Sequence, residues 1–237
     1  MKKIQIAVTF WYRFPDRLRC LNIAYDSLEK FMFFGDYEHE WIISSETDHC
    51  LDKSEIIRLF DSRDKVKLIW NNGPASLSSN LNNVLKACDA PLLFYLQDDW
   101  RMTRETNIGT VADFLLSSEY DLVRYRYALS DPSQLTRVNK ELDLYEIKHT
   151  ATNLYSDQPH LKKLNFHHKY GYFPESSFRG FDSGDCETKF NNALKKSDSK
   201  ILFKKDTAKL FTHISNVSTL KEKWDNWHKR NRRPLGS

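Results

Sequence analysis

The sequence predicts a single α/β domain in which a mostly parallel central sheet is flanked by helices. Two observations predict it. Short apolar runs alternate with segments of helical periodicity over residues 1–100, and the length of 237 residues suits one such domain. Helices that connect successive parallel strands cover both faces of a sheet, which explains why the runs are apolar throughout.

The predicted strands are compact apolar runs at residues 4–9, 40–45, 66–70 and 91–96. The predicted helices carry apolar residues three and four positions apart, at residues 15–31, 53–61 and 76–87. The pattern is mixed after residue 100, where we expect helices at 105–118 and 184–196 and extended segments at 122–127, 142–147, 201–203 and 209–211. Ligands of such sheets bind beyond the carboxyl ends of the strands, so the residues that follow each strand are the candidates for a site.

The composition is typical of a soluble globular protein, with 40% hydrophobic and 29% charged residues. No run approaches the roughly 20 apolar residues of a membrane span, and the N-terminal run is interpreted as a first strand rather than a signal peptide. The four cysteines are scattered without a CxxC pair, which disfavours a zinc site or a disulfide framework: Cys20, Cys50, Cys88 and Cys186. These features favour a cytoplasmic protein and leave peripheral contact with a membrane open.

The net charge of +4 is concentrated near the C-terminus. Residues 221–233 hold six lysines and arginines against two acids, which accounts for the whole excess. We call residues 221–237 the basic tail. Its cations, with Trp224 and Trp227 among them, could contact the phosphates of a polyanion such as nucleic acid or lipid, and a solvated tail is an equally good interpretation.

Two adjacent acids follow the fourth apolar run, in the string Leu96-Gln97-Asp98-Asp99-Trp100. Carboxylates at the ligand edge of a sheet need compensation by a metal, a cation or hydrogen bonds. Mg²⁺ or Mn²⁺, held by one or two carboxylates together with substrate phosphates, is one such solution. A plain loop or helix-cap pair is the alternative, and the spacing alone does not decide between them.

The string from Gln97 to Trp100 resembles the aspartate-rich metal motif of family-2-like GT-A glycosyltransferases, in the variant that reads acid-Asp-Asp-Trp. Gln97 stands where an acid is more usual. The resemblance implies a GT-A, Rossmann-like domain and a divalent cation, Mn²⁺ or Mg²⁺, bound directly by Asp99. It places Asp98 on the donor ribose or around the metal.

The resemblance extends to the polar residues after the other strands, whose order and spacing before the Asp pair carry the match. At the end of the second strand, serines occupy the usual acid positions. Besides Asp98, the implied donor-binding residues are Thr9, Phe10, Arg13, Ser45, Glu46, Asn72 and Asn80.

The acceptor half resembles the family in three segments. Residues 155–161 resemble a strand end and a Pro-led helix that border the acceptor. The later acid-rich helix start implies a catalytic base, for which Asp185 aligns best and Glu187 and Asp182 are rivals; capping and dipole compensation are the alternative. His213 resembles a late strand-end histidine that ligates the metal or donates to the diphosphate, although a lone histidine can also be structural.

The resemblance implies a nucleotide-sugar-binding half at 1–100 and an acceptor-binding half of the same domain at 101–220, followed by the basic tail. The implied activity moves a hexosyl or pentosyl group from a nucleoside-diphosphate sugar, with UDP favoured, to an acceptor hydroxyl. Inversion is favoured because the sequence offers a better base than nucleophile. The acceptor stays open among a glycan, a protein, a lipid carrier and a modified DNA base.

Two other classes of protein remain as alternatives. A nucleotidyltransferase also combines a nucleotide, an Asp pair and a divalent ion, but its first strand is normally followed by a Gly-rich basic loop, which residues 10–13 do not provide. A non-catalytic module that binds sugar or nucleic acid on a transferase fold is kept open by Gln97 and by the basic tail.

Overall fold

A computed structural model describes residues 2–10, 15–46, 53–71, 76–125, 132–175, 183–205 and 210–214. Arg13, Asn72, Asp182 and the basic tail lie outside the described residues. The backbone of Glu46 and Asp185 is described and their side chains are not.

The first half of the chain alternates strands and helices, as the sequence predicts. Its elements are β1 (Lys3–Phe10), α1 (Pro15–Phe31), β2 (Met32–Phe33), β3 (Glu38–Glu46), α2 (Lys53–Phe60), β4 (Val66–Asn71), α3 (Leu77–Ala87) and β5 (Leu92–Gln97). Each predicted strand and helix of this half is present within two residues of its expected bounds. The one unpredicted element is the two-residue strand β2.

The second half contains more and shorter strands. Its elements are β6 (Trp100–Met102), β7 (Thr106–Asn107), α4 (Ile108–Ser117), β8 (Leu122–Arg124), a 3₁₀ turn (Pro132–Gln134), β9 (Leu135–Asn139), β10 (Leu144–Ile147), β11 (His160–Lys163), α5 (Phe166–Tyr170), α6 (Ser183–Leu194), β12 (Ile201–Lys204) and β13 (Phe211–His213). The predicted helices at 105–118 and 184–196 correspond to α4 and α6.

A nine-stranded sheet in the order β4-β3-β1-β5-β11-β8-β12-β10-β9 forms the centre of the described chain. The first four strands of this order are parallel neighbours, and β8 and β12 are parallel as well. All of its strands except β11 and β10 run in the same direction. The mostly parallel central sheet predicted from the sequence is therefore confirmed.

Both faces of this sheet are covered, because successive residues of its strands contribute to different cores. On β1, Ile6 and Val8 join one hydrophobic cluster and Ala7 joins the other. On β5, Phe94 joins the first cluster and Tyr95 the second. Strands buried on both faces are continuous apolar runs, which is why these strands could be predicted. No helix among the described residues has the length and apolar character needed to cross a bilayer.

The prediction of a Pro-led helix near residues 155–161 is wrong. The residues after Pro159 form β11, which inserts antiparallel between β5 and β8. His160 and Lys162 are fully buried in this strand although both are polar. Strands β5 and β8 pair with β11 on both sides and satisfy its backbone groups, so the pairing with distant strands, and not the helix that the resemblance implies, determines the local conformation.

Lys162 is fully buried on β11, where it lies opposite Leu93 near the start of β5. Its Nζ lies 2.9 Å from Nε2 of His167 and 5.3 Å from the ring centroid of Tyr95. Nδ1 of His167 donates to the carbonyl oxygen of Gly171 at 3.0 Å, so Nε2 is the acceptor for the amine. Burial lowers the pKa of Lys162 to about 7.

We expect this amine to make stability depend on pH. The folded pKa lies below the unfolded value of 10.5, so between pH 7 and pH 10.5 the unfolded chain binds a proton that the folded chain has released. The contribution of Lys162 to the free energy of unfolding should therefore rise in this window, by up to about 1.4 kcal/mol per pH unit. Urea unfolding at several pH values should show that the free energy of unfolding of the wild type rises relative to that of Lys162→Met across this window. Lys67→Met, at an exposed position of β4, should retain it, and equal slopes in all three proteins would contradict the assignment.

Candidate functional site

The acidic turn of the chain lies at the carboxyl edge of the parallel strands. Asp98 and Asp99 directly follow β5, and both are buried, with 1% and 7% of their surface exposed. The backbone N–H of Asp98 donates to the carbonyl oxygen of Thr9 at 3.3 Å, and the N–H of Ile214 donates to that of Asp99 at 2.6 Å. The turn is thus held between the end of β1 and the residue that follows β13.

Arg17 of α1 bridges the two carboxylates. Its Nη1 donates to Oδ2 of Asp99 at 3.0 Å, and its Nη2 forms a close ion pair with Oδ1 of Asp98. Helix α1 follows β1, so its first turn lies at the same edge of the sheet as the acidic turn. The guanidinium is itself mostly buried, with its side chain 11% exposed.

His213 lies beside the carboxylate of Asp99 because a separate pair of strands positions it there. Strand β13 pairs antiparallel with β6, which places His213 opposite Trp100, immediately after the acidic turn. Its Nε2 lies 3.2 Å from Oδ2 of Asp99, and its ring packs edge-on against Trp100 with centroids 4.8 Å apart. The structure therefore brings together Asp99 and His213, the two residues that the sequence assigns to the metal. Their role as ligands stays a prediction.

Arg17, Asp98, Asp99 and His213 form one cluster, in which the two carboxyl groups have pKa values shifted in opposite directions. Burial opposes the ionisation of Asp99, but Arg17 and the hydrogen bond from His213 outweigh burial and lower the pKa of Asp99 to about 2. Burial raises the pKa of Asp98 to about 8 despite the charge of Arg17. Burial also opposes the charge of Arg17, yet the two carboxylates raise the pKa of the guanidinium above its ordinary value, so it stays charged.

Two oxygen atoms of this cluster have no partner. Oδ2 of Asp98 and Oδ1 of Asp99 are buried and make no hydrogen bond. Carboxylate oxygens are preferred ligands of Mg²⁺ and Mn²⁺, and such ions commonly complete their coordination with water and substrate phosphates. Among the described residues, no group of three or more His, Cys, Asp or Glu side chains could hold a metal ion. The cluster fits a divalent cation that takes its remaining ligands from a substrate.

Gln97 connects the acidic turn to the second half of the chain. Its Nε2 donates to Oδ2 of Asp157 at 2.7 Å, and the backbone N–H of Asp157 donates to Oε1 of Glu187 at 3.3 Å. The carboxyl groups of Asp157 and Glu187 are also hydrogen-bonded to each other. Burial, followed by the charge of Glu187, raises the pKa of Asp157 well above its usual value.

The ends of β1 and β3 provide the other donor-binding candidates. Thr9 lies opposite Ser44 on one side and Gln97 on the other, and its hydroxyl is 2.9 Å from that of Tyr95. Asn80 of α3 donates to the carbonyl oxygen of Phe10 at 3.1 Å and accepts from the hydroxyl of Ser44. Asn80 therefore holds the ends of two strands together. Ser45 is buried at the end of β3, and Glu46 is the last residue of that strand.

Sequence reasoning missed two residues of this arrangement. Arg17 contacts acids more than 80 residues away, and nothing in its local pattern distinguishes it from other helical arginines. Asp157 was identified only as part of an acceptor segment and not as the partner of Glu187. A charged residue in the first turn of a helix that follows β1 is the one signal that could have indicated Arg17, because that turn faces the ligand edge of the sheet.

Solved structures share this fold at low sequence identity. S. aureus TarS 1-349 in complex with UDP-GlcNAc matches over 94% of this chain and 64% of its own, with a TM-score of 0.59 and 15% identity. The same fragment in complex with UDP matches over 86% of this chain and 57% of its own, with a TM-score of 0.58 and 15% identity. The mannosyltransferase PcManGT from Pyrobaculum calidifontis, in complex with GDP-Man and Mn²⁺, matches over 79% of this chain and 51% of its own, with a TM-score of 0.53 and 13% identity.

These matches define the class of fold. The chain has the α/β fold of a solved mannosyltransferase and of TarS, and it spans between one half and two thirds of the length of these structures. At this level of identity the likeness concerns the fold alone. No protein-family model matches the sequence, and no curated protein sequence matches it.

Proposed function

We propose that this chain is a glycosyltransferase that moves a sugar from a nucleoside-diphosphate sugar, with UDP favoured, to an acceptor hydroxyl. The observation that carries the proposal is the buried acidic turn after β5, where Asp98 and Asp99 each keep one carboxylate oxygen without a partner. The turn lies at the carboxyl edge of parallel strands, where α/β sheets bind their ligands. The neighbours of known structure were solved with UDP, UDP-GlcNAc, or GDP-Man and Mn²⁺, which supports the choice of donor.

On this proposal, Asp99 and His213 hold the divalent cation and Asp98 lies beside the donor ribose. A bound Mn²⁺ or Mg²⁺ would neutralise charge on the leaving diphosphate. Asp99 suits this role because its carboxylate stays ionised while buried. The ends of β1 and β3, with Thr9 and Ser45, border the nucleoside.

We assign the base to Glu187 in preference to Asp185, because the described contacts of Glu187 lead to the acidic turn. Glu187 is partly exposed on α6, and its Oε1 accepts the backbone N–H of Asp157, whose carboxyl group is hydrogen-bonded to Gln97 beside the acidic turn. The acceptor oxygen attacks the anomeric carbon, the bond from that carbon to the diphosphate oxygen breaks, and the hydroxyl proton passes to Glu187. Attack opposite the leaving group inverts the anomeric centre.

Product analysis with nucleotide sugars tests the activity. Incubation with UDP-sugars and GDP-sugars and Mn²⁺ should release a nucleoside diphosphate, and the preferred donor should raise the melting temperature because it binds only the folded chain. Release of pyrophosphate would instead indicate a nucleotidyltransferase. Stabilisation by a sugar or nucleic acid without any release of nucleotide would favour the non-catalytic module.

The basic tail is proposed to recruit a polyanionic or membrane-borne acceptor. Each exposed cation contributes little alone, so the effect depends on the whole segment and weakens as salt is added. Truncation after Lys221 should leave donor binding unchanged, weaken acceptor binding and flatten its salt dependence. A lower melting temperature with an unchanged salt dependence would show that the tail packs on the domain.

A further inference from the structure

The acidic turn already contains a permanent cation. Arg17 contacts Oδ1 of Asp98 and Oδ2 of Asp99, and the second of these oxygens also lies 3.2 Å from His213. The oxygens left without a partner are the other oxygen of each carboxylate. A metal ion that used either of these oxygens would bind to a carboxyl group that Arg17 already contacts.

This arrangement opposes the binding of a metal ion in the absence of a diphosphate. The guanidinium offsets part of the negative charge that would attract the ion, and the two cations would repel each other across a buried, poorly screened site. Besides Asp98 and Asp99, the described carboxyl group that is hydrogen-bonded to a neighbour of the turn is that of Asp157, which accepts from Gln97. The described residues therefore supply too little negative charge for two cations.

A diphosphate supplies the missing charge. Its oxygens can coordinate a divalent ion and can also accept two parallel hydrogen bonds from a guanidinium, which is the geometry that arginine offers to phosphate. Nε of Arg17 is buried without a hydrogen-bond partner and is an additional donor that a phosphate could use.

We propose that Arg17 is a resident counter-cation that makes metal binding at Asp99 depend on the donor diphosphate. Without donor, Arg17 neutralises the acidic turn and excludes the metal. With donor, Arg17 turns to the diphosphate, and the oxygen atoms of Asp99 become available to the metal. The inference rests on the proposed function in one respect, namely that the anionic partner is a nucleoside diphosphate.

The alternative is a structural ion pair that only fastens α1 to the acidic turn. The two interpretations differ in what happens to the affinity for Mn²⁺ when the charge of Arg17 is removed. A counter-cation opposes the metal, so its removal should tighten binding. A structural pair positions the carboxylates, so its removal should weaken binding or leave it unchanged.

The test is a titration with Mn²⁺ alone, in which free Mn²⁺ is measured by electron paramagnetic resonance. Arg17→Gln should bind Mn²⁺ at least roughly tenfold more tightly than the wild type, within the usual range of coupling between sites. Arg17→Lys keeps the charge and should bind as weakly as the wild type. Arg19→Gln, at an exposed position of the same helix, is the matched control and should also match the wild type.

Equal or weaker binding of Mn²⁺ by Arg17→Gln overturns the inference. If that variant does not fold, the wild type decides. In that case UDP must raise the affinity of the wild type for Mn²⁺ beyond what the binding of Mn²⁺ to free UDP accounts for. Equal affinity with and without UDP overturns the inference. Failure of every nucleoside diphosphate to bind would overturn the proposed function, whereas the comparison of Arg17→Gln with the wild type in Mn²⁺ alone needs no nucleotide.

Discussion

Replacing Asp99 with asparagine is expected to reduce sugar transfer by at least about 100-fold, the loss typical of removing one group that stabilises developing charge. Asparagine keeps the shape of the side chain but removes the ionised carboxylate that Arg17 and His213 maintain. Binding of the donor should also lose its dependence on Mn²⁺. Initial rates with a nucleotide sugar and calorimetric titration of donor with and without Mn²⁺ measure the two effects.

Asp121→Asn is the matched control for the loss of a buried aspartate. Asp121 is exposed to the same 7% as Asp99 but lies outside the candidate site, where its Oδ2 accepts from the hydroxyl of Tyr170 and the N–H of Lys200. This variant should be less stable and should keep Mn²⁺-dependent donor binding. Undiminished turnover of donor by the wild type in EDTA would contradict a metal role for Asp99.

The parallel part of the sheet could be predicted because its information is local. Strands such as β1 and β5 are buried on both faces, so their apolar runs are continuous, and the helices between them carry a regular apolar period. The acidic turn could be predicted for the same reason, since Asp98 and Asp99 end an apolar run. Here the local pattern and the fold agree.

The rest of the site depends on pairings that leave no local signal. Strand β11 contains the polar residues His160 and Lys162, and only its neighbours β5 and β8 make it a strand. The contact of Arg17 with the acidic turn arises from the way α1 packs after β1, across more than 80 residues of sequence. Such contacts become visible only when the whole sheet is assembled.

The positions of His213 and Glu187 could be predicted only in part from the sequence. Resemblance identified both as candidates, but the reasons for their positions lie elsewhere in the chain. His213 is placed by the pairing of β13 with β6, and Glu187 by its hydrogen bonds with Asp157. Sequence order indicated which residue types to consider, and packing determined which atoms they contact.

Replacing Glu187 with glutamine is expected to reduce transfer by about 100- to 10,000-fold, the usual contribution of a general base. The amide can still accept the backbone N–H of Asp157, so the local structure should persist. Donor affinity should stay close to that of the wild type, because the lost interaction belongs to the transition state. Turnover number and donor dissociation constant, measured separately, test this expectation.

Asp185→Asn on the same helix is the matched comparison. Residues two positions apart on a helix do not share a face, so the two substitutions examine different surroundings of α6. If Glu187 is the base, Asp185→Asn should keep most of the activity. Full activity of Glu187→Gln together with an inactive Asp185→Asn would assign the base to Asp185, as the alignment of the helix start suggests. The hydrogen bonds from Gln97 through Asp157 to Glu187 would then serve only to fasten the second half of the chain to the acidic turn.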